Sequence, residues 1–325
     1  FLIMLVLYIL SLIAGFALLT WSADRFVLGS ANFARLMGVS PLMIGITVVG
    51  FGTSAPEILV SGIAAWQGNP GLAIGNAIGS NITNIALIVG VTAIIIPMTA
   101  RPAIVRREIP MLLAVSLFAV VLMLDYELSR WEGVLFAVTQ IALLGWTAWI
   151  GKREKQQLFD ESELDDNPMS LNRSLFWLIL GLLLLLGSSR LLVWSAVGIA
   201  TAAGIPPLVI GLTVIALGTS LPELAACIVS CRKGHDDIAI GNILGSNTFN
   251  LMSVLGIASL IQPTSFEQIV VYRDLPLMLF LSLLLGIFAF KRQGSAKISR
   301  VKGIVLLSIY IIYQAWLYIT MTQGV

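Results

Sequence analysis

The chain has 325 residues, of which 58% are hydrophobic and only 11% charged, with a net charge of +2 and a mean hydropathy of +0.96. A soluble domain carries about 25% charged residues, so 19 Lys and Arg with 17 Asp and Glu cannot cover a water-facing surface for 35.0 kDa. Most of the chain is therefore solvated by lipid, and without a basic cluster beside aromatics no nucleic-acid partner is expected.

A helix needs about 20 mostly apolar residues to cross a bilayer. Ten such runs follow in chain order, at roughly 1–21, 40–66, 71–96, 108–124, 132–150, 172–200, 207–230, 238–261, 275–290 and 303–322. Runs of this length predict an all-α integral membrane protein and not the short alternating segments of a barrel. The first, Phe1 to Trp21, lacks a basic n-region and an A-x-A site and reads as a spanning helix rather than a signal.

Between the fifth and sixth runs lies GKREKQQLFDESELDDNPMS, with Asp160, Glu161, Glu163, Asp165 and Asp166. Its acids lack the spacing and the Gly of an EF-hand loop, so it reads as a solvated hinge between halves. The expected organisation is a first five-helix unit at 1–150, a loop at 151–172 and a second five-helix unit at 173–325.

Alternate connections divide Lys and Arg unevenly. One set holds sixteen, including Arg25, Arg35, Arg101, Lys152 and Lys233; the other holds Arg130, Arg190 and Arg273. Positive residues stay on the cytoplasmic side, which places the 151–172 loop in the cytoplasm and both termini outside; a short chain with neither a signal nor a large regulatory domain suggests a prokaryotic plasma membrane. Trp21, Trp131, Trp146, Trp149, Trp177, Trp194 and Trp316 fall near predicted ends, as interfacial anchors do. Cys227 and Cys231, four apart, share a helix face and read as packing, and His235, in the short RKGHDD turn, reads as a surface residue.

The chain repeats itself. PLMIGITVVGFGTSAPE, from Pro41 to Glu57, aligns without a gap with PLVIGLTVIALGTSLPE, from Pro207 to Glu223. At the same offset of 166 residues, AIGNAIGSNITN, from Ala73 to Asn84, aligns with AIGNILGSNTFN, from Ala239 to Asn250. The offset spans five predicted helices, an odd number, so the second copy enters the membrane from the opposite side and the repeats are inverted. Inverted repeats with Pro- or Gly-broken helices mark secondary transporters, whose sites lie near the bilayer midplane.

Those breaks are where ligands are expected. Pro56 and Pro222 have no N–H, so each frees the carbonyl four residues earlier, at Gly52 and Gly218. Glu57 and Glu223 are the acids placed deep inside predicted spans, at an insertion cost of at least about 2.5 kcal/mol each. The four motif helices carry no Lys or Arg at that depth, so two anions call for bound cations or protons. Thr47, Gly50, Ser54 and Glu57 form one helix stripe, repeated by Thr213, Ala216, Ser220 and Glu223. Asn76, Ser80 and Asn84 form a second, repeated by Asn242, Ser246 and Asn250. Carboxylate, hydroxyl, amide and carbonyl oxygens without His or thiolate suit a hard ion such as Ca²⁺ or Na⁺. Gly75, Gly79, Gly241 and Gly245 read instead as close-packing positions.

GTSAPE with GNAIGSNITN, and GTSLPE with GNILGSNTFN, resemble the paired α-repeats of the cation/Ca²⁺ exchanger family, best known for Na⁺/Ca²⁺ exchangers. The resemblance implies alternating access, with Ca²⁺ moved one way and Na⁺ the other, no cofactor and no obligate protein partner. Carried over, it implies Ca²⁺ ligands at Glu57 and Glu223 with the carbonyls of Thr53 and Thr219. It implies flanking Na⁺ sites from Ser54, Ser220, Gly50, Ala216, Ser80 and Ser246, with Asn84 and Asn250 closing the centre. The first and sixth helices, with Gly29, Ser30, Gly198 and Thr201, would slide against the rest. This chain departs from the pattern at Asn250, where Na⁺/Ca²⁺ exchangers typically carry an acid, so the site has two carboxylates. H⁺/Ca²⁺ exchange is the alternative for the counter-ion, and a passive cation channel is a different class built from the same oxygens. An intramembrane hydrolase would need a base beside Ser54 or Ser220, and none is close in sequence.

Overall fold

A computed structural model describes residues 2–102, 104–154, 169–204, 216–291 and 294–323. The acidic run at 160–166 and the segment from Pro207 to Thr213 lie outside these residues. Helix α1 is Leu2–Met37. It is followed by a bent pair, α2 at Pro41–Thr53 and α3 at Ala55–Trp66, and by α4 at Pro70–Ile95. Then come α5 at Ile109–Leu122, α6 at Arg130–Glu154 and α7 at Leu171–Ala202. The remaining helices are α8 at Ala216–Thr219, α9 at Leu221–Arg232, α10 at Asp236–Ile261, α11 at Val270–Ala289 and α12 at Arg300–Gln323. Seven helices are long and apolar enough to cross a membrane, or eight with the bent pair taken as one span. Of the other expected runs, 108–124 is the 14-residue α5 preceded by a π turn, and 207–230 is described only from residue 216.

Local sequence explains the breaks. Ser40 caps α2, its hydroxyl accepting from the Met43 N–H at 3.3 Å, with Pro41 at the first helical position. Pro56, unable to donate to the Gly52 carbonyl, coincides with a 43° bend after Thr53. Wide π turns interrupt α4 at Asn84–Val89 and α10 at Asn250–Val254, each beginning at one of the matched asparagines. Such turns concentrate at functional sites.

The helices bearing the repeated polar residues form the interior: 72% of the apolar window of α4 and 83% of that of α10 are buried, against 11% for α1 and 22% for α6 and α12. Aliphatic side chains such as Ile78, Ile82, Ile85, Ile243 and Leu251 fill the space between them. Cys227 and Cys231 are buried free thiols within this core, as packing residues should be.

Helices α1 and α7 pack along each other through reciprocal contacts. A side chain on Gly15 would strike Leu192, and one on Gly181 would strike Phe26, the two pairs being related by the 166-residue offset. The same reciprocity links Gly90 to Gly303 and Gly256 to Ala137. Two short antiparallel strand pairs cross the chain midpoint: β1 (Met98–Ala100) with β4 (Ala296–Ile298), and β2 (Glu127–Leu128) with β3 (Thr264–Ser265).

Three expectations are corrected. The first helix continues to Met37 rather than ending near Trp21, because its later turns pack on α7. Arg25 and Arg190, counted with the connections, lie well inside α1 and α7. Glu108 and Asp274, 3% and 8% exposed, are also buried acids, brought inward by the π turns Ile104–Glu108 and Val270–Asp274.

Candidate functional site

The two polar stripes converge where α2, α3, α8 and α9 meet α4 and α10. Thr53, Ser54 and Glu57 are at most 1% exposed, and Ser220, Glu223, Ser246, Asn84 and Asn250 are buried with them. The Thr53 hydroxyl donates to Asn242 Oδ1 at 2.9 Å and lies 3.3 Å from the Ser246 hydroxyl. Ser246 donates to the Gly50 carbonyl at 3.3 Å. One strand of the chain from each half thus meets the other: Gly50, Thr53 and Asn84 on one side, Asn242, Ser246 and Asn247 on the other. Asn84 Nδ2 completes this set by donating to Asn247 Oδ1 at 3.0 Å.

Each glutamate is held through its main chain by the equivalent asparagine. Asn76 Nδ2 donates to the Glu57 carbonyl at 3.3 Å and to Ser61 Oγ at 2.9 Å, and Asn242 Nδ2 reaches the Glu223 carbonyl at 3.5 Å. Such bonds fix the backbone and leave the carboxylates uncommitted.

The buried acids fall into two groups. Glu108 pairs with Arg107 at 2.5 Å, Asp237 with Arg101 at 3.0 Å and Asp274 with Arg273 at 2.7 Å, the last also accepting from Tyr313 Oη at 2.9 Å. Glu57 and Glu223 have no such cation among the described residues. Glu57 Oε2, Glu223 Oε2, Ser54 Oγ and Asn250 Oδ1 are buried without a hydrogen-bond partner among the described residues. Buried oxygens are nearly always paired, so unpaired ones on the two convergent polar stripes make an arrangement suited to a hard cation.

Other expected residues are placed differently. Thr47 spends its hydroxyl on the Met43 carbonyl at 2.7 Å. The Gly218 carbonyl, freed by Pro222, accepts from Ser189 Oγ of α7 at 2.7 Å and is not left open. Gly241 and Gly245 pack directly on α2, as expected of close-approach glycines, whereas a Cβ on Gly75 or Gly79 would meet no described atom within 4 Å, so the close-packing expectation does not hold for those two among the described residues. Ala216 opens α8, Thr219 is half-buried at its end, and Ser80 is buried one turn before Asn84. Asn247 and Ser189 were not foreseen. Asn247 had a signal, since Asn81 and Asn247 recur at the same offset; Ser189 had none. The repeat also extends further than the motifs, from IVRREIP at 104–110 to VVYRDLP at 270–276, which carries both arginine–acid pairs.

The family described as "Sodium/calcium exchanger protein" matches residues 7–149 and 173–319, and the chain belongs to it. It is 44% identical over 309 residues to the putative antiporter CaxA of Alkalimonas amylolytica, covering 94% of this chain and 97% of that protein. It is 31% identical to the sodium/calcium exchanger MaX1 of Methanosarcina acetivorans, covering 97% and 99% of the two chains. Among solved structures, the sodium-calcium exchanger NCX_Mj superposes with a TM-score of 0.82 at 36% identity, over 95% of this chain and 98% of that one. The chain is accordingly an all-helical membrane protein of a cation-exchanger family.

Proposed function

We propose that this protein exchanges Ca²⁺ for Na⁺ across the plasma membrane by alternating access. The reading takes the fold as ten spans in two inverted five-helix repeats, 1–150 and 173–325, joined by a cytoplasmic loop at 151–172, with both termini outside. The reciprocal contacts and the crossed strand pairs support the inversion, since each half meets in its partner the surface it presents itself.

In this reading Glu57 and Glu223 bind Ca²⁺ with the Thr53 and Thr219 carbonyls. Ser54, Ser220, Ser80, Ser246, Gly50 and Ala216 complete flanking Na⁺ sites, and Asn84 and Asn250 close the centre. The observation that carries it is the set of four buried oxygens without a partner among the described residues, two of them from carboxylates with no described counter-cation. Two negative charges are balanced by one Ca²⁺ or two Na⁺, so the exchange is electroneutral. The empty site, doubly negative in low dielectric, is too costly to reorient. Exchange then follows from competition alone. The α1 and α7 pair moves against the remaining helices.

The test is uptake of radiolabelled Ca²⁺ into proteoliposomes preloaded with Na⁺, with K⁺, or with a proton gradient. Uptake driven by outward Na⁺ supports the proposal, uptake driven only by protons replaces Na⁺ with H⁺, and uptake that needs no opposing gradient identifies a channel. Asn250 gives the proton alternative its specific ground, because it leaves the site with two carboxylates for two monovalent ions of either kind.

A further inference from the structure

A cavity of about 320 Å³ lies between α3, α7 and α8, bounded by Pro56, Gly218, Thr219, Ser189 and Arg190. Pro56 and Thr219 belong to the two broken motifs, and Ser189 bonds the Gly218 carbonyl at 2.7 Å, so one wall of the cavity is the site's own backbone. Leu186, Ser189, Arg190, Val193 and Trp194 follow the i, i+3, i+4, i+7, i+8 pattern and bring one face of α7 to it.

Arg190 is exposed, and no acid pairs with it among the described residues. It stands 17 residues beyond Arg173 on the same helix, about 25 Å along the axis at 1.5 Å per residue, which is still within a hydrocarbon layer of about 30 Å. Charged groups on membrane helices face the bundle interior or water, or reach toward the interface. The cavity is open to the outside of the protein and gives the guanidinium a path away from lipid beside the site's own backbone.

We propose that Arg190 is a fixed positive charge in the aqueous entrance to the cation site, and that it biases entry toward monovalent over divalent cations. The proposal rests on the exchange reading above. The physical basis is valence: an electrostatic potential at the entrance weights the local concentration of an ion by an exponential in its charge. Removing Arg190 therefore raises local Na⁺ by some factor and local Ca²⁺ by the square of that factor. For a separation on the order of 7 Å in water, Coulomb's law gives about 2.7-fold for Na⁺ and about sevenfold for Ca²⁺.

The experiment measures half-saturating Ca²⁺ and Na⁺ for wild type, Arg190→Gln and Arg190→Lys in proteoliposomes at about 10 mM and about 1 M ionic strength, where the screening length is about 30 Å and 3 Å. Arg190→Gln is expected to lower half-saturating Ca²⁺ by the square of the Na⁺ factor at low salt, with both effects collapsing at high salt and Arg190→Lys matching wild type. Equal factors for the two ions, or an effect that survives high salt, overturns the proposal. Arg190→Cys provides a second route: it should react with membrane-impermeant methanethiosulfonates, a cationic adduct restoring the wild-type constants and an anionic one lowering half-saturating Ca²⁺ further, below that of the unmodified cysteine. An unreactive cysteine overturns the proposal as well. Wild-type protein without cation-driven Ca²⁺ uptake would remove the exchange reading itself, whereas wild-type exchange with unchanged Arg190→Gln constants removes only the role of Arg190.

Discussion

Gly245 lies where α10 crosses α2, and its replacement by alanine isolates the effect of helix approach on the site. A Cβ added there would sit 2.1 Å from the Ile46 carbonyl oxygen, whereas ordinary van der Waals contact begins at 3.4 Å. The backbones must part by about an ångström, because the obstructing atoms belong to the main chain and not to a flexible side chain. Overpacking of this kind costs about 1–3 kcal/mol. The next residue, Ser246, holds the Gly50 carbonyl and faces Thr53, both at 3.3 Å, and an added ångström takes both contacts beyond hydrogen-bond range. Gly245→Ala should therefore lower the midpoint of thermal unfolding in detergent by roughly 2–6 °C and reduce Ca²⁺ uptake at least tenfold. Gly145→Ala, with no described atom within 4 Å of the new Cβ, serves as the control and should melt no lower than wild type. If Gly245→Ala melts and transports like that control, the close crossing of α2 and α10 does not position the site and the reasoning fails.

Other perturbations bear on the charges. Glu57→Gln and Glu223→Gln should each abolish counter-ion-driven Ca²⁺ uptake while the protein still elutes as a monodisperse species, since each removes half the site's charge; residual uptake above about 1% of wild type counts against both as ligands. Wild-type uptake should be indifferent to a K⁺ diffusion potential set with valinomycin, and Asn250→Asp, by adding a third carboxylate, should make it voltage-dependent and steepen its Na⁺ dependence. Because cations bind the ionised carboxylates, uptake should fall as the pH is lowered at fixed Na⁺ gradient; a rise would favour proton coupling. Tyr313→Phe removes a 2.9 Å bond to Asp274 in a pair already held by Arg273, and should cost about 1 kcal/mol of stability, read as a lower unfolding midpoint, with the ion constants unmoved.

The helices that carry the site were legible in the sequence because duplication wrote them twice. Glu57, Glu223, Asn84 and Asn250 stood out as residues matched across 166 positions and polar within an apolar run, a signal that Asn81 and Asn247 share without having been singled out. The length of α1 was not legible, because Asp24, Arg25 and Arg35 end the apolar run while packing on α7 sustains the helix to Met37. Glu108 and Asp274 were read as loop acids since they stand at the edges of their runs, and only the π turns draw them inward. The strand pairs, two or three residues long, are too short to show any alternation. Arg190 interrupted a hydrophobic run without a matched partner, and only the neighbouring cavity gives its position meaning.

The two crossed ribbons have a mechanical corollary. Each staples a segment of one half to a segment of the other, Met98 to Ile298 and Leu128 to Thr264, and neither involves α1 or α7. A clamshell opening between the halves would have to tear both staples, whereas a piston stroke of the α1–α7 rod strains neither. On the proposed exchange reading, such an architecture would be a latched chassis carrying one slider.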